Sequence, residues 1–185
     1  MPSLITHTVV GVSAALPLLQ SLEVRKQISA AMLILSAVVF SCLPDFDGAF
    51  LGIIPYGSFF GHRGFFHSPA FLLVFTALCA YVYVRKVREG SIRAATRVLL
   101  LWAGVAISHS LLDALTDGGR GVMLLFPFSN SRYFFPWRPI RVSPIGIDVF
   151  WYSASGVLRS ELPFCVVALG LGGVTYALLR REPGS

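Results

Sequence analysis

The chain reads as an all-α, polytopic membrane helical bundle of about five spanning helices in one domain over residues 1–185, and three observations predict it. Hydrophobic residues make up 55% of the 185 and charged residues only 13%, with a mean hydropathy of +0.73. A soluble domain of this length carries roughly twice that charge. The apolar residues gather in long runs, and the basic residues between them alternate in density from one connection to the next, as the loops of a membrane protein do.

Five runs are predicted to span. Leu4–Leu19 comes first and is short, with Pro17 near its far end; Ile28–Leu43, His67–Val84, Val98–Leu112 and Leu162–Leu179 follow. Several fall below the ~20 residues that cross a bilayer, so the helices are expected to reach into their flanks. Cys42, Cys79 and Cys165 lie far apart inside apolar stretches and read as small packing residues, not a disulfide frame or a CxxC metal motif. A basic leader segment is lacking and His7 interrupts the first run, so no cleaved signal peptide is expected.

Arg25 and Lys26, then Arg85, Lys86, Arg88, Arg93 and Arg97, then Arg180 and Arg181 belong to one side. Short basic connections stay inside. That side is therefore expected in the cytoplasm, together with the C-terminus, and the N-terminus outside the inner membrane. The outer side carries a long loop or lid over about residues 114–160, rich in Phe, Trp, Tyr and Arg. Pro127, Pro136, Pro139 and Pro144 forbid a long regular helix there. It reads as a lid, a re-entrant segment or a plain interfacial loop. Arg132, Arg138 and Arg141 are its candidate phosphate contacts, and Asp148 a partner for one of its arginines.

On this map all four histidines fall at one membrane face. His7 begins the first span, Asp45 and Asp47 end the second, His62 and His67 precede or begin the third, and His109 and Asp113 end the fourth. His109 and Asp113 are four apart and share a helix face. Ionisable residues at such depth are costly unless paired or bound. The mixture of imidazoles and carboxylates without thiolates suits a divalent ion of the hydrolytic kind, Zn²⁺ first, with Mn²⁺ or Mg²⁺ open. The candidate ligands are His7, Asp45, Asp47, His62, His67, His109 and Asp113. Seven are too many for one tetrahedral site. Either two ions bind, or one binds and the remainder act as acid, base or ligand support.

Each element has a bland alternative. Pro44-Asp45-Phe46-Asp47-Gly48 could simply terminate a helix. His62 and His67, five apart around Gly64, cannot share one regular helix face, so one is expected from a loop and one from a helix start. Arg63 between them is a candidate catalytic and phosphate-holding group alongside Asp47 and His62, or an anchor to lipid head groups. Asp117 is expected at a helix end or supporting a ligand. Ser68, Ser108 and Ser110 adjoin histidines and are weaker nucleophile candidates.

His7, Pro44-Asp45-Phe46-Asp47, His62-Arg63-Gly64 through His67-Ser68, Ser108-His109 through Asp113 with Thr116, and Pro127-Phe128-Ser129 together resemble the YdjM family over about residues 7–139. The family comprises inner-membrane proteins described as metal-dependent hydrolases. The resemblance implies metal ligands drawn from the seven residues above. Its distant likeness to zinc-dependent phospholipase C implies a phosphoester substrate. Some members are associated with LexA control.

The functional expectation is a membrane metal-dependent hydrolase acting on a lipid or lipid-linked phosphoester or ester. Nucleic acid is not an expected partner, and oligomeric state is left open. A transporter or channel would need ionisable residues at mid-membrane, whereas the middles of these runs are apolar. A non-catalytic scaffold with a structural metal is the remaining alternative. The His-Glu-x-x-His motif of metalloproteases is missing from the sequence.

Overall fold

The structure, a computed structural model, describes residues 1–86, 91–144 and 147–181. Arg88 of the basic side lies outside the described residues, as do the side chains of Lys86, Asp148 and Arg181.

The chain folds into α1 (Leu4–Ala15), α2 (Leu22–Gln27), α3 (Ala30–Cys42), α4 (Pro69–Lys86), α5 (Ile92–Ala114) and α6 (Ile147–Arg181). Short 3-10 helices at Leu16–Gln20, Leu43–Phe50 and Phe65–His67 continue or connect them. Serines set the starts. Ser21, Ser29 and Ser91 accept hydrogen bonds from the amides of Val24, Met32 and Ala94 at the heads of α2, α3 and α5. Ser68 accepts from Phe71 N ahead of Pro69, a serine cap with proline at the first helical position.

Among the described residues, three helical stretches are long and apolar enough to cross a membrane: Ala30–Phe50, Ile92–Ala114 and Val149–Arg180. Leu4–Gln20 and Pro69–Arg85 are shorter apolar helices. Five apolar helices therefore exist where five runs were expected, but two fall short of full spanning length.

Two boundaries differ more. α5 begins at Ile92, taking in Arg93 and Arg97, and α6 begins at Ile147 instead of Leu162. The outer loop is consequently shorter than the 114–160 expected. The first turns of α6 are polar enough to look like loop, yet Ala154, Val157 and Glu161 are all buried, at the three- and four-residue spacing of one helix face.

α1 and α6 run side by side in the same direction, with Glu161 beside Ser3 and Gly172 beside Ser13. A Cβ on Gly172 would lie 2.4 Å from the Ser13 carbonyl oxygen, and one on Gly11 would lie 2.9 Å from Val38 Cα of α3. Small residues thus bring α6, α1 and α3 to backbone contact, the usual route to tight packing in lipid. The main apolar core lies away from the histidines. There Leu33, Val98, Leu101, Trp102 and Val105 meet α1 and α2 through Ala15 and Val24. Trp102 stacks on Phe40 at 4.6 Å and donates to Ser36 Oγ at 3.0 Å.

Arg97 holds the opposite, basic end together. It donates to Ser21 Oγ at 2.7 Å and lies 3.6 Å from Glu23. Outward faces carry Leu35, Val39, Val74, Leu78, Val166 and Leu171 in the open, as lipid-facing helices do.

Candidate metal centre

The site forms where the 3-10 continuation of α3, the loop after it and the 3-10 helix before α4 meet the end of α5. α3 runs on into the 3-10 helix Leu43–Phe50, whose tight turn sends Asp45 and Asp47 inward. The chain then loops through residues 51–64 and re-enters by the 3-10 helix Phe65–His67. His62 therefore comes from the loop and His67 from the approach to α4, the split their spacing predicts. His109 and Asp113 share the inner face of α5, with Nε2 and Oδ2 3.9 Å apart.

Four donors converge. Asp45 Oδ1 lies 3.5 Å from His67 Nε2 and 3.4 Å from His109 Nε2, and Asp113 Oδ2 lies 3.5 Å from His67 Nε2. These separations exceed a good N–H···O bond. They are close to the edges of a tetrahedron, since metal bonds of ~2.0–2.1 Å put donors about 3.3–3.4 Å apart, while the separation of His109 Nε2 and Asp113 Oδ2, 3.9 Å, is longer. Both oxygens of Asp45, both ring nitrogens of His67, His109 Nε2 and Asp113 Oδ2 are buried without a hydrogen-bond partner among the described residues. So many orphaned polar atoms at one point would be strongly destabilising in a dry interior. A two-imidazole, two-carboxylate donor set fits Zn²⁺ or a related divalent ion.

The ring nitrogen of His109 that faces away is already used. Its Nδ1 donates to the Ser41 carbonyl at 2.8 Å, which sets the tautomer and turns Nε2 to the centre. His67 Nδ1 lies 3.1 Å from Asp47 Oδ2 without hydrogen-bond geometry.

A second group, Asp47, His62 and His67, differs in kind. Asp47 Oδ1 accepts from His62 Nδ1 at 2.6 Å, a hydrogen-bond distance and not a co-ligand distance. His62, Asp47 and His67 thus form a chain of side chains ending on the four-donor centre. His67 lies just outside the spanning helices. Burial lowers its pKa, but the carboxylates of Asp45 and Asp47 outweigh that and lift it to about 9. The pocket demands positive charge.

Other expected residues land differently. His7 joins neither donor group. It stacks face to face on His109 at 3.7 Å, and its two nitrogens, also without partners among the described residues, do not converge with the four donors. Arg63 is wholly buried, which excludes a lipid-anchor role. Its Nε lies 3.2 Å from Asp113 Oδ2, and Nη1 donates to the Gly118 carbonyl at 2.9 Å. The residue adopts φ +62°, a left-handed conformation that non-glycine residues hold only when contacts enforce it.

Arg132 is committed to backbone. It donates to the carbonyls of His62, Tyr56 and Ser58 at 2.5, 3.1 and 2.9 Å, so it ties the loop that presents His62 and has little left for a phosphate. Arg138 lies over the Phe134 ring, and Arg138 and Arg141 are exposed on the outer loop. Asp117, beyond the end of α5, ties two parts of the outer loop together, accepting from Val142 N at 2.8 Å and donating its own N–H to the Ile140 carbonyl at 2.9 Å. Ser68, Ser108 and Ser110 donate to the carbonyls of Phe65, Val105 and His67, so none is poised as a nucleophile.

Glu161 was not anticipated. It is buried in α6 and accepts from Ser3 N and Ser3 Oγ at 2.5 Å each and from Thr6 Oγ1 at 2.8 Å. It supplies the acceptor that caps α1 and so sets the depth at which His7 meets His109. The available signal was an acid followed directly by the apolar run of α6.

The comparisons agree with this architecture. The model of the YdjM inner membrane protein family matches residues 1–181. The "Inner membrane protein YbcI" of Escherichia coli (strain K12) is 38% identical over 149 residues, which is 80% of this chain and 80% of that protein. No solved structure matches. The chain belongs to the YdjM inner membrane protein family.

Proposed function

From that membership and this geometry, we propose that the protein is a membrane-embedded metal-dependent hydrolase of a lipid or lipid-linked phosphoester. The observation that carries the reading is the convergence of four buried donors that lack hydrogen-bond partners among the described residues, with three of their separations at 3.4–3.5 Å. Asp45, His67, His109 and Asp113 would hold one divalent ion, zinc above manganese or magnesium. Such an ion lowers the pKa of a bound water and polarises a phosphoryl oxygen.

The chain's own groups do the rest. His62, with Nδ1 fixed by Asp47, keeps Nε2 for moving a proton to or from the reacting oxygen. Arg63 compensates Asp113 from behind and orients it. His7, stacked on His109 at 3.7 Å, holds the plane of that ring. The basic end carrying Arg25, Arg93 and Arg97 lies opposite, which supports a cytoplasmic C-terminus and a site opening outward.

The test is elemental analysis of protein purified in detergent without chelator, wild type beside His109→Ala and Asp113→Ala, followed by hydrolysis assays on phospholipids and soluble phosphoesters. One metal per chain in wild type, lost from folded variants together with activity, is expected. Wild-type protein without metal, or His109→Ala with full activity, would overturn the proposal.

A further inference from the structure

A groove of about 490 Å³ runs between the start of α1 and the end of α3. Met1, Leu4, Val39, Leu43 and Phe46 supply most of its wall, and Asp45 and His62 stand at its polar part. Leu4, Val39 and Phe46 are exposed on the outer surface of the bundle, so the groove opens toward the hydrocarbon. Its volume lies in the range of small-molecule sites.

We infer that this groove is the seat of a single aliphatic chain of the substrate, whose phosphate end reaches Asp45 and His62; the inference rests on the hydrolase reading above. The lining selects this occupant. A peptide segment would bring amide and carbonyl groups against leucine, valine and phenylalanine side chains that cannot satisfy them. An aliphatic chain brings none, and it leaves one polar end for one polar corner. That corner holds both a donor of the metal centre and the proton-carrying histidine. The preferred substrate class is therefore a single-chain phosphoester amphiphile, or a lipid that inserts one of its chains.

The experiment uses full-length, metal-loaded protein and a lysophosphatidate carrying a photoactivatable diazirine in its chain, with labelled positions read by mass spectrometry. Wild type and Val39→Trp are compared, with Val166→Trp on the exposed face of α6 as the control. Label concentrated at Leu4, Val39, Leu43 and Phe46 is expected, falling roughly tenfold or more in Val39→Trp and unchanged in Val166→Trp. Hydrolysis of a soluble, chain-free phosphoester should be retained in Val39→Trp. Label spread evenly over Val166, Val167 and the groove, or unmoved by Val39→Trp, overturns the groove assignment while leaving hydrolysis of soluble esters to support the metal reading. Groove labelling without hydrolysis of any phosphoester does the reverse: the chain site stands and the hydrolase reading falls.

Discussion

Replacing Arg63 separates its electrostatic role from its orienting one. Its guanidinium is wholly buried, 3.2 Å from Asp113 Oδ2. Truncating one partner of such a pair leaves a buried, uncompensated charge and costs about 3–5 kcal/mol. For a chain of this size that corresponds to a melting temperature lower by about 6–20 °C, so metal-free Arg63→Ala is expected to be much less stable than wild type. Arg63→Gly is the control for backbone strain. It loses the same ion pair but relieves the left-handed φ, worth about 1–2 kcal/mol, and should melt above Arg63→Ala. Bound metal compensates the same carboxylate, so it should stabilise the variants more than it stabilises wild type. By linkage the folded variants then bind metal more tightly, roughly tenfold for each 1.4 kcal/mol recovered. Thermal unfolding with and without zinc, plus a competitive zinc titration, reads both quantities. Weaker zinc binding by folded Arg63→Gly would refute this account and make orientation of Asp113 the dominant role of Arg63.

Three further outcomes follow from named contacts. Glu161→Ala strands the Ser3 amide and two hydroxyls and should cost about 2–4 kcal/mol, with Glu161→Gln less damaging; thermal melts of the two variants rank them. The His67 pKa is raised to about 9, so its protonated form stabilises the metal-free fold. That contribution is complete below the ordinary value of 6.5 and fades as pH climbs toward 9, by up to about 3 kcal/mol. Metal must displace this proton, so zinc should stabilise the protein more at pH 8.5 than at pH 6, and melts that show no such trend would exclude it. Gly172→Leu meets the Ser13 carbonyl, whereas Gly170 and Gly173 have open space where a Cβ would go. The first should destabilise by about 1–3 kcal/mol or more, and leucine at the other two positions should be close to neutral.

The helical class and the gathering of His67, His109, Asp45 and Asp113 at one end were legible because both depend on local patterns. Apolar run length reports a membrane helix, and four-residue spacing reports a shared face. Less local features were not legible. Whether His7 points its nitrogens at His109 or stacks on its ring depends on how deeply α1 sits, which Glu161 sets from 158 residues away along the chain. Arg63 and Arg132 looked equally suited to phosphate. Only the fold shows that one is spent on Asp113 and the other on the carbonyls of residues 56–62. The start of α6 at Ile147 was not legible because Trp151, Tyr152, Ser153, Ser155, Arg159 and Glu161 interrupt the hydropathy run ahead of Leu162, although Ala154, Val157 and Glu161 form one buried helix face.

Charge balance bears on how many ions the centre takes. Asp45, Asp47 and Asp113 bring three carboxylates to the cluster, and Arg63 is the guanidinium paired directly with it. With neutral imidazoles the remainder is two negative charges, which a single divalent ion cancels. A second divalent ion would leave two positive charges in a buried site and would also have to break the 2.6 Å His62–Asp47 hydrogen bond, whereas the first breaks no hydrogen bond of its four donor atoms. Electrostatics and hydrogen bonding therefore favour the same arrangement of one ion, with Asp47 held back as the link between it and His62. Asp47→Asn keeps the shape of that link and removes its charge. In this arrangement it should retain one metal per chain while losing most of the turnover and its dependence on pH. Loss of half of a two-metal complement in Asp47→Asn would place Asp47 among the ligands instead.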